Sequence, residues 1–168
     1  ARVASFYLLA VGSMVAALFS TQIFDTNANF ATLSFLFSGL FLVLTLLGSL
    51  TVIQLARLRA AWYESMLALN QIKEYALSKD KDIAKAFRWR HQSMPPLYKI
   101  NSVSYQQTLE VAVLSGLTFG AAIYFFQTGI QNNCGLCSWA YTLISGVFGF
   151  VFQLFIYKRY LMNDQKGK

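Results

Sequence analysis

The chain has 168 residues, 56% of them hydrophobic and only 12% charged, with a net charge of +7 and a mean hydropathy of +0.45. A soluble domain carries about 25% charged residues, so too few remain to wet a globular surface, and intrinsic disorder is excluded by the same richness in apolar side chains. A single histidine excludes sites that need two imidazoles, and two cysteines exclude a disulfide scaffold.

The few charges leave two long gaps. Residues 3–56 hold one charged side chain, Asp25, and residues 100–157 hold one, Glu110. A membrane helix needs about 20 apolar residues, so each gap accommodates two spans and a turn. Asp25-Thr26-Asn27-Ala28-Asn29 is dense in turn formers and separates an expected first span, 3–24, from a second, 30–56. Arg2 ahead of an apolar run resembles a signal peptide. However, no clear small-x-small cleavage site stands before Asp25 and the run is too long for an h-region, so it is read as a span. The polar, glycine-containing stretch Gln127–Gly135 separates a third span, 107–126, from a fourth, 138–157. The expected fold is an all-α membrane protein, one domain over 1–168, with four transmembrane helices arranged as two hairpins.

All fourteen Lys and Arg side chains fall outside the two hairpin turns: Arg2, nine between Arg57 and Lys99, then Lys158, Arg159, Lys166 and Lys168. By the positive-inside rule both termini and residues 57–106 are expected in the cytoplasm. The positive charge then marks topology and attracts anionic lipid headgroups; nucleic acid is not an expected partner.

No Gly or Pro occurs between Leu50 and Pro95, so helix 2 is expected to leave the bilayer unbroken and to reach about Leu77. Leu55, Leu58, Trp62, Ser65, Leu69, Ile72 and Ala76 step in heptad spacing beyond the membrane. This stripe either packs on the protein's own cytoplasmic helices or forms an oligomer seam through Leu58, Trp62, Leu69 and Ile72. Ser78 or Asp80 caps an expected short second cytoplasmic helix, about Asp80–Gln92, ended by Pro95-Pro96. Its Trp89 and Arg90 suit the headgroup region, and His91 beside them reads as an exposed polar residue. Tyr98 and Tyr105 are expected as interfacial anchors where the chain re-enters the bilayer.

Polar residues at membrane depth are the remaining candidates. Glu110 is the one acid of helix 3 and is read as reaching the cytoplasmic interface, with function as its alternative. Gln22, Gln54 and Gln153 lie near span ends and are placed at the interface likewise. Ser34, Ser38, Thr45 and Ser49 form the hydroxyl stripe of helix 2, lining for a pore or packing for a bundle. Gly116-x-x-x-Gly120 on helix 3, with Ser145-x-x-x-Gly149 as its expected counterpart on helix 4, is a close-packing pattern. Gly12-x-x-x-Ala16 and Ser34-x-x-x-Ser38 repeat it. No metal cluster, cofactor loop or catalytic set is legible, so an enzyme is not expected, apart from one motif.

That motif is Cys134-Gly-Leu-Cys137, with the spacing of a redox dithiol at the extracytoplasmic mouth of helix 4. In this position it resembles the four-helix thiol oxidoreductases of the vitamin K epoxide reductase and DsbB type. The resemblance implies disulfide exchange with a quinone-like partner, while a local structural disulfide or two inert thiols is the other reading; the second cysteine pair of those enzymes is missing here. Ala1-Arg-Val-Ala-Ser-Phe-Tyr7 and Arg57-Leu-Arg-Ala-Ala-Trp-Tyr-Glu-Ser-Met-Leu-Ala-Leu-Asn-Gln-Ile-Lys-Glu-Tyr75 resemble a group of uncharacterised bacterial integral membrane proteins with four spans and a charged helix after span 2. That likeness implies the bacterial cytoplasmic membrane. The hairpin and Trp62-bearing helix are also similar to SLATT domains, two-span modules associated with membrane pores. The functional expectation is a non-enzymatic oligomer in the bilayer, either a small pore or a fixed subunit of a membrane complex, with thiol–disulfide oxidoreduction as the alternative.

Overall fold

The computed structural model describes residues 2–20, 30–79, 96–130 and 136–166. Among these it is all-helical, without strands: α1 (Arg2–Ser20), α2 (Phe30–Lys79), α3 (Val103–Ile130) and α4 (Leu136–Lys166). Three of them, α2, α3 and α4, are long and apolar enough to cross a membrane; α1 contributes a shorter apolar stretch. The expected short helix at 80–92, with His91, and the turn at Asp25–Asn29 lie outside the described residues.

α2 is one helix of 50 residues, about 75 Å long at 1.5 Å per residue. Its two glycines, Gly39 and Gly48, leave it unbroken because glycine costs only about 1 kcal/mol in a helix interior, against about 3 for proline. α3 and α4 both outrun the expected spans. Gln127, Thr128 and Gly129 belong to the last turn of α3 rather than to a loop, and Lys158 through Lys166 continue α4. The hydroxyl of Thr128 donates to the Tyr124 carbonyl at 2.8 Å, the back-bond that lets a threonine stay inside a helix.

α3 is the central element. It packs along α2 on one side and α4 on the other, while α1 touches α2 and α3 over a short patch. Phe41, Leu44, Val52, Leu55, Val111, Ala122 and Tyr157 form the core, with Tyr7 and Val11 as the contribution of α1. Small residues set the α3–α4 distance. A Cβ on Gly116 would stand 2.8 Å from the Gly146 carbonyl oxygen, and one on Gly120 would stand 3.1 Å from the Thr142 carbonyl oxygen. The counterpart of the Gly116/Gly120 pair is therefore Gly146, not the expected Ser145 and Gly149. Gly149 faces the Phe119 ring on the flank, and Ser145 bonds its own helix at the Thr142 carbonyl. Gly12 has open space around it and Ala16 is exposed, so that pair packs against no other helix among the described residues.

At one end of the bundle the turn 96–102 folds Leu97 into the core, 2% exposed. Ser102 caps α3, its Oγ accepting from the Tyr105 amide at 3.2 Å. Tyr98, Tyr105 and Tyr157 gather there with ring centroids 6.2–6.5 Å apart. Burial, and then the two neighbouring phenols, push the Tyr98 hydroxyl above the ordinary tyrosine value. Lys158 lies over the Tyr98 ring at 6.0 Å, and Arg59 donates from Nε to the Leu97 carbonyl at 3.2 Å.

Candidate functional site

Two features stand out once the helices are assembled. The first is a buried polar cluster where α1, α2, α3 and α4 meet. Ser115, fully buried on α3, donates to the Thr45 carbonyl at 3.2 Å, and Ser49 donates to that same carbonyl at 3.0 Å. Thr45 and Thr118 share a hydroxyl–hydroxyl bond at 3.1 Å across α2 and α3. Gln153 of α4 reaches between them, its Nε2 donating to Ser49 Oγ at 3.3 Å and to Ser115 Oγ. Gly48 makes room for the cluster: a Cβ there would meet Ser115 Oγ and the Tyr7 hydroxyl, each at 2.7 Å. The Tyr7 hydroxyl lies beside Ser115 and Thr118, without reaching hydrogen-bond geometry.

Gln153 corrects an interface expectation. It is 2% exposed, in the bundle interior, whereas Gln54 is exposed; Gln22 lies outside the described residues. Its Oε1 has no hydrogen-bond partner among the described residues. An amide so placed forms helix-to-helix bonds worth about 0.6 kcal/mol each on average and leaves an acceptor unpaired at a comparable or larger cost. Gln153→Leu should therefore change stability by less than about 1 kcal/mol, whereas Gln153→Ala, which opens a cavity, should cost about 2–4 kcal/mol. Denaturant titration in detergent decides: a large loss for the leucine variant would mean that the amide itself holds the bundle.

Ser34, Ser38, Thr45 and Ser49 all point into this same interior. Ser34 and Ser38 are buried, and Ser38 donates to the Ala122 carbonyl of α3 at 2.9 Å. The hydroxyl stripe of α2 thus faces α3 of its own chain. Gly116 and Gly120 are likewise spent on α4 within the chain. Glu110 is exposed, two turns into α3. Cys134 lies outside the described residues, and of Cys137 only its place in the first turn of α4 is described. Nearby, Ser138 Oγ donates to Gln127 Oε1 at 2.6 Å and ties the start of α4 to the end of α3.

The second feature is the far half of α2. Its inward face is Ala56, Ala60, Tyr63 and Asn70, with Asn70 1% exposed. The heptad stripe is the other face. Leu55, the first member, is buried in the core, but Leu58 is 70% exposed, Trp62 37%, Leu69 49% and Ile72 66%, so from Leu58 onward the stripe is left largely open by the other described helices. Tyr75 beside it is exposed too. Periodicity reveals such a stripe but not which of two faces turns home; the run of small residues at Ala56 and Ala60 was the available signal.

Comparison with protein-family models, with curated proteins and with solved structures finds no match for this chain.

Proposed function

We propose that this is a non-enzymatic integral membrane protein that works as an oligomer, a fixed assembly subunit joined through the outer face of the α2 extension. The observation that carries this reading is the exposure of Leu69, Ile72 and Tyr75. The segment Phe30–Ala56 already exceeds the roughly 20 residues a span needs. Leu69 and Ile72 stand about 20 and 24 Å beyond Ala56 along the helix. Leu58 and Trp62, within about 10 Å of Ala56, are covered by headgroups in this placement. Leu69, Ile72 and Tyr75 are not, and apolar side chains at heptad spacing in water are the surface a second helix buries.

In this reading α1 is the fourth span. The end of the bundle that holds Arg59, Lys99, Lys158 and Arg159 faces the cytoplasm of a bacterial cell, together with the α2 extension. A fixed subunit is favoured over a small pore, because the hydroxyls of α2 are hydrogen-bonded inside one chain instead of facing an axis between chains. The largely apolar outer face of α4, including Leu143, Val147 and Val151, suits lipid.

A single cysteine tests both the contact and the orientation. In a Cys134→Ser, Cys137→Ser background, which should assemble as the parent does, Ile72→Cys is expected to form a disulfide-linked dimer on mild oxidation in membranes. A membrane-impermeant thiol reagent should reach it in inside-out vesicles and not from outside intact cells. Labelling from outside would overturn the topology; an introduced thiol that is accessible at this position yet never cross-links would overturn the seam.

A further inference from the structure

We propose that the groove between α2 and the start of α3 binds the phosphodiester group of an anionic membrane lipid, with Arg59 as the anion-binding side chain. The inference rests on the membrane placement of α2 given above.

The groove encloses about 250 Å³ and is lined by Gln54, Leu58, Arg59, Trp62, Val103 and Gln107, among others. The groove is open along one side, with room for a phosphate and its glycerol while the acyl chains lie outside it. Its walls vary with depth in the way an amphiphile does. Arg59 and Trp62 lie about 5 and 9 Å beyond Ala56, in the headgroup layer. Gln54 and Gln107 lie about a turn deeper, where ester oxygens sit and amide N–H groups have acceptors to find. Leu58 and Val103, 70% and 71% exposed, offer apolar walls to the glycerol and the first acyl carbons.

Arg59 is held for the task. Its Nε–H is donated to the Leu97 carbonyl at 3.2 Å, and its guanidinium lies 4.4 Å from the centre of the Trp62 ring. One donor of five is thereby used to fix the plane of the group, and the others remain to grip two oxygens of one phosphate. Arg57, two residues earlier, is exposed and lies outside the groove lining, a surface charge on the same helix. Glu110 stands one turn further along α3 from Gln107, also outside the lining. A fixed planar cation with an aromatic beside it, above two amides and two apolar walls, fits a glycerophospholipid better than it fits a free inorganic anion, which has no use for the apolar part.

Native mass spectrometry of the full chain, extracted in mild detergent and supplied with phosphatidylglycerol or phosphatidylcholine, tests this. The parent should retain phosphatidylglycerol in preference to phosphatidylcholine. Arg59→Gln should lower that retention about tenfold, and Arg57→Gln by no more than about twofold. Val103→Trp, which fills the groove and leaves Arg59 in place, should also lower it and keeps the test open if loss of the Leu97 tie unfolds the glutamine variant. Equal losses for Arg57→Gln and Arg59→Gln, or full retention by Val103→Trp, would overturn the site and leave only diffuse attraction between basic residues and anionic lipid. The same spectra count the chains. An oligomer without selective lipid refutes this inference alone, and a single chain with selective lipid refutes the assembly alone.

Discussion

Replacing Gly116 with valine should cost up to about 3 kcal/mol and pull α3 away from α4. A Cβ at Gly116 would stand 2.8 Å from the Gly146 carbonyl oxygen and 3.0 Å from the Phe150 Cβ. The first is backbone and cannot swing aside, so the helices themselves must part, and overpacking of that kind costs about 1–3 kcal/mol. Membrane helices gain their association mainly from such close packing, with no hydrophobic drive to replace it. Gly39 is the control: nothing lies within 4 Å of its would-be Cβ. Gly39→Val should stay within about 0.5 kcal/mol of the parent. Unfolding in a graded denaturing detergent, followed by helical circular dichroism, measures both. Equal behaviour of the two variants would mean that the α3–α4 crossing is not where the bundle is held.

The second large effect concerns assembly. If the proposed assembly forms through this face, Leu69→Glu combined with Ile72→Glu should turn it into single chains while leaving the helical content unchanged. Burying a leucine or isoleucine is worth about 1.5–3 kcal/mol, and a symmetric contact loses two such pairs, so the dissociation constant should rise by at least roughly a hundredfold. Gln71→Glu adds charge to an exposed position between them that lies off the heptad stripe and should leave the mass unchanged. Light scattering of the purified particle distinguishes the outcomes. A double variant that retains the parent mass would move the interface elsewhere on the molecule.

How much of this was legible beforehand depended on the kind of signal. The charge-free stretches and the lack of Gly or Pro after Leu50 are statements about length and continuity, and they survive folding; hence the single long α2. Azimuth is a different matter. The pattern Gly116-x-x-x-Gly120 says that a close approach exists, but a small residue one position over, Gly146, proved to be the partner rather than Ser145 or Gly149. Helical spacing cannot separate neighbours that lie about 100° apart on the wheel until the partner helix is in place. Gln153 was misread for a related reason. It stands five residues before Lys158, close enough in sequence to be taken for an interface group, yet its side turns to Ser49 and Ser115. The heptad spacing shows a stripe; that it faces outward beyond Leu55 is visible only with the inward face of Ala56, Ala60 and Asn70 beside it.

The most direct measurement is the mass of the detergent-extracted particle. One chain weighs 18.9 kDa. Twice that mass or a higher whole multiple, with cross-links from one copy's position 72 to another's, is the expected result. A particle of a single chain, with Leu69 and Ile72 accessible to solvent in membranes as well as in detergent, would contradict it.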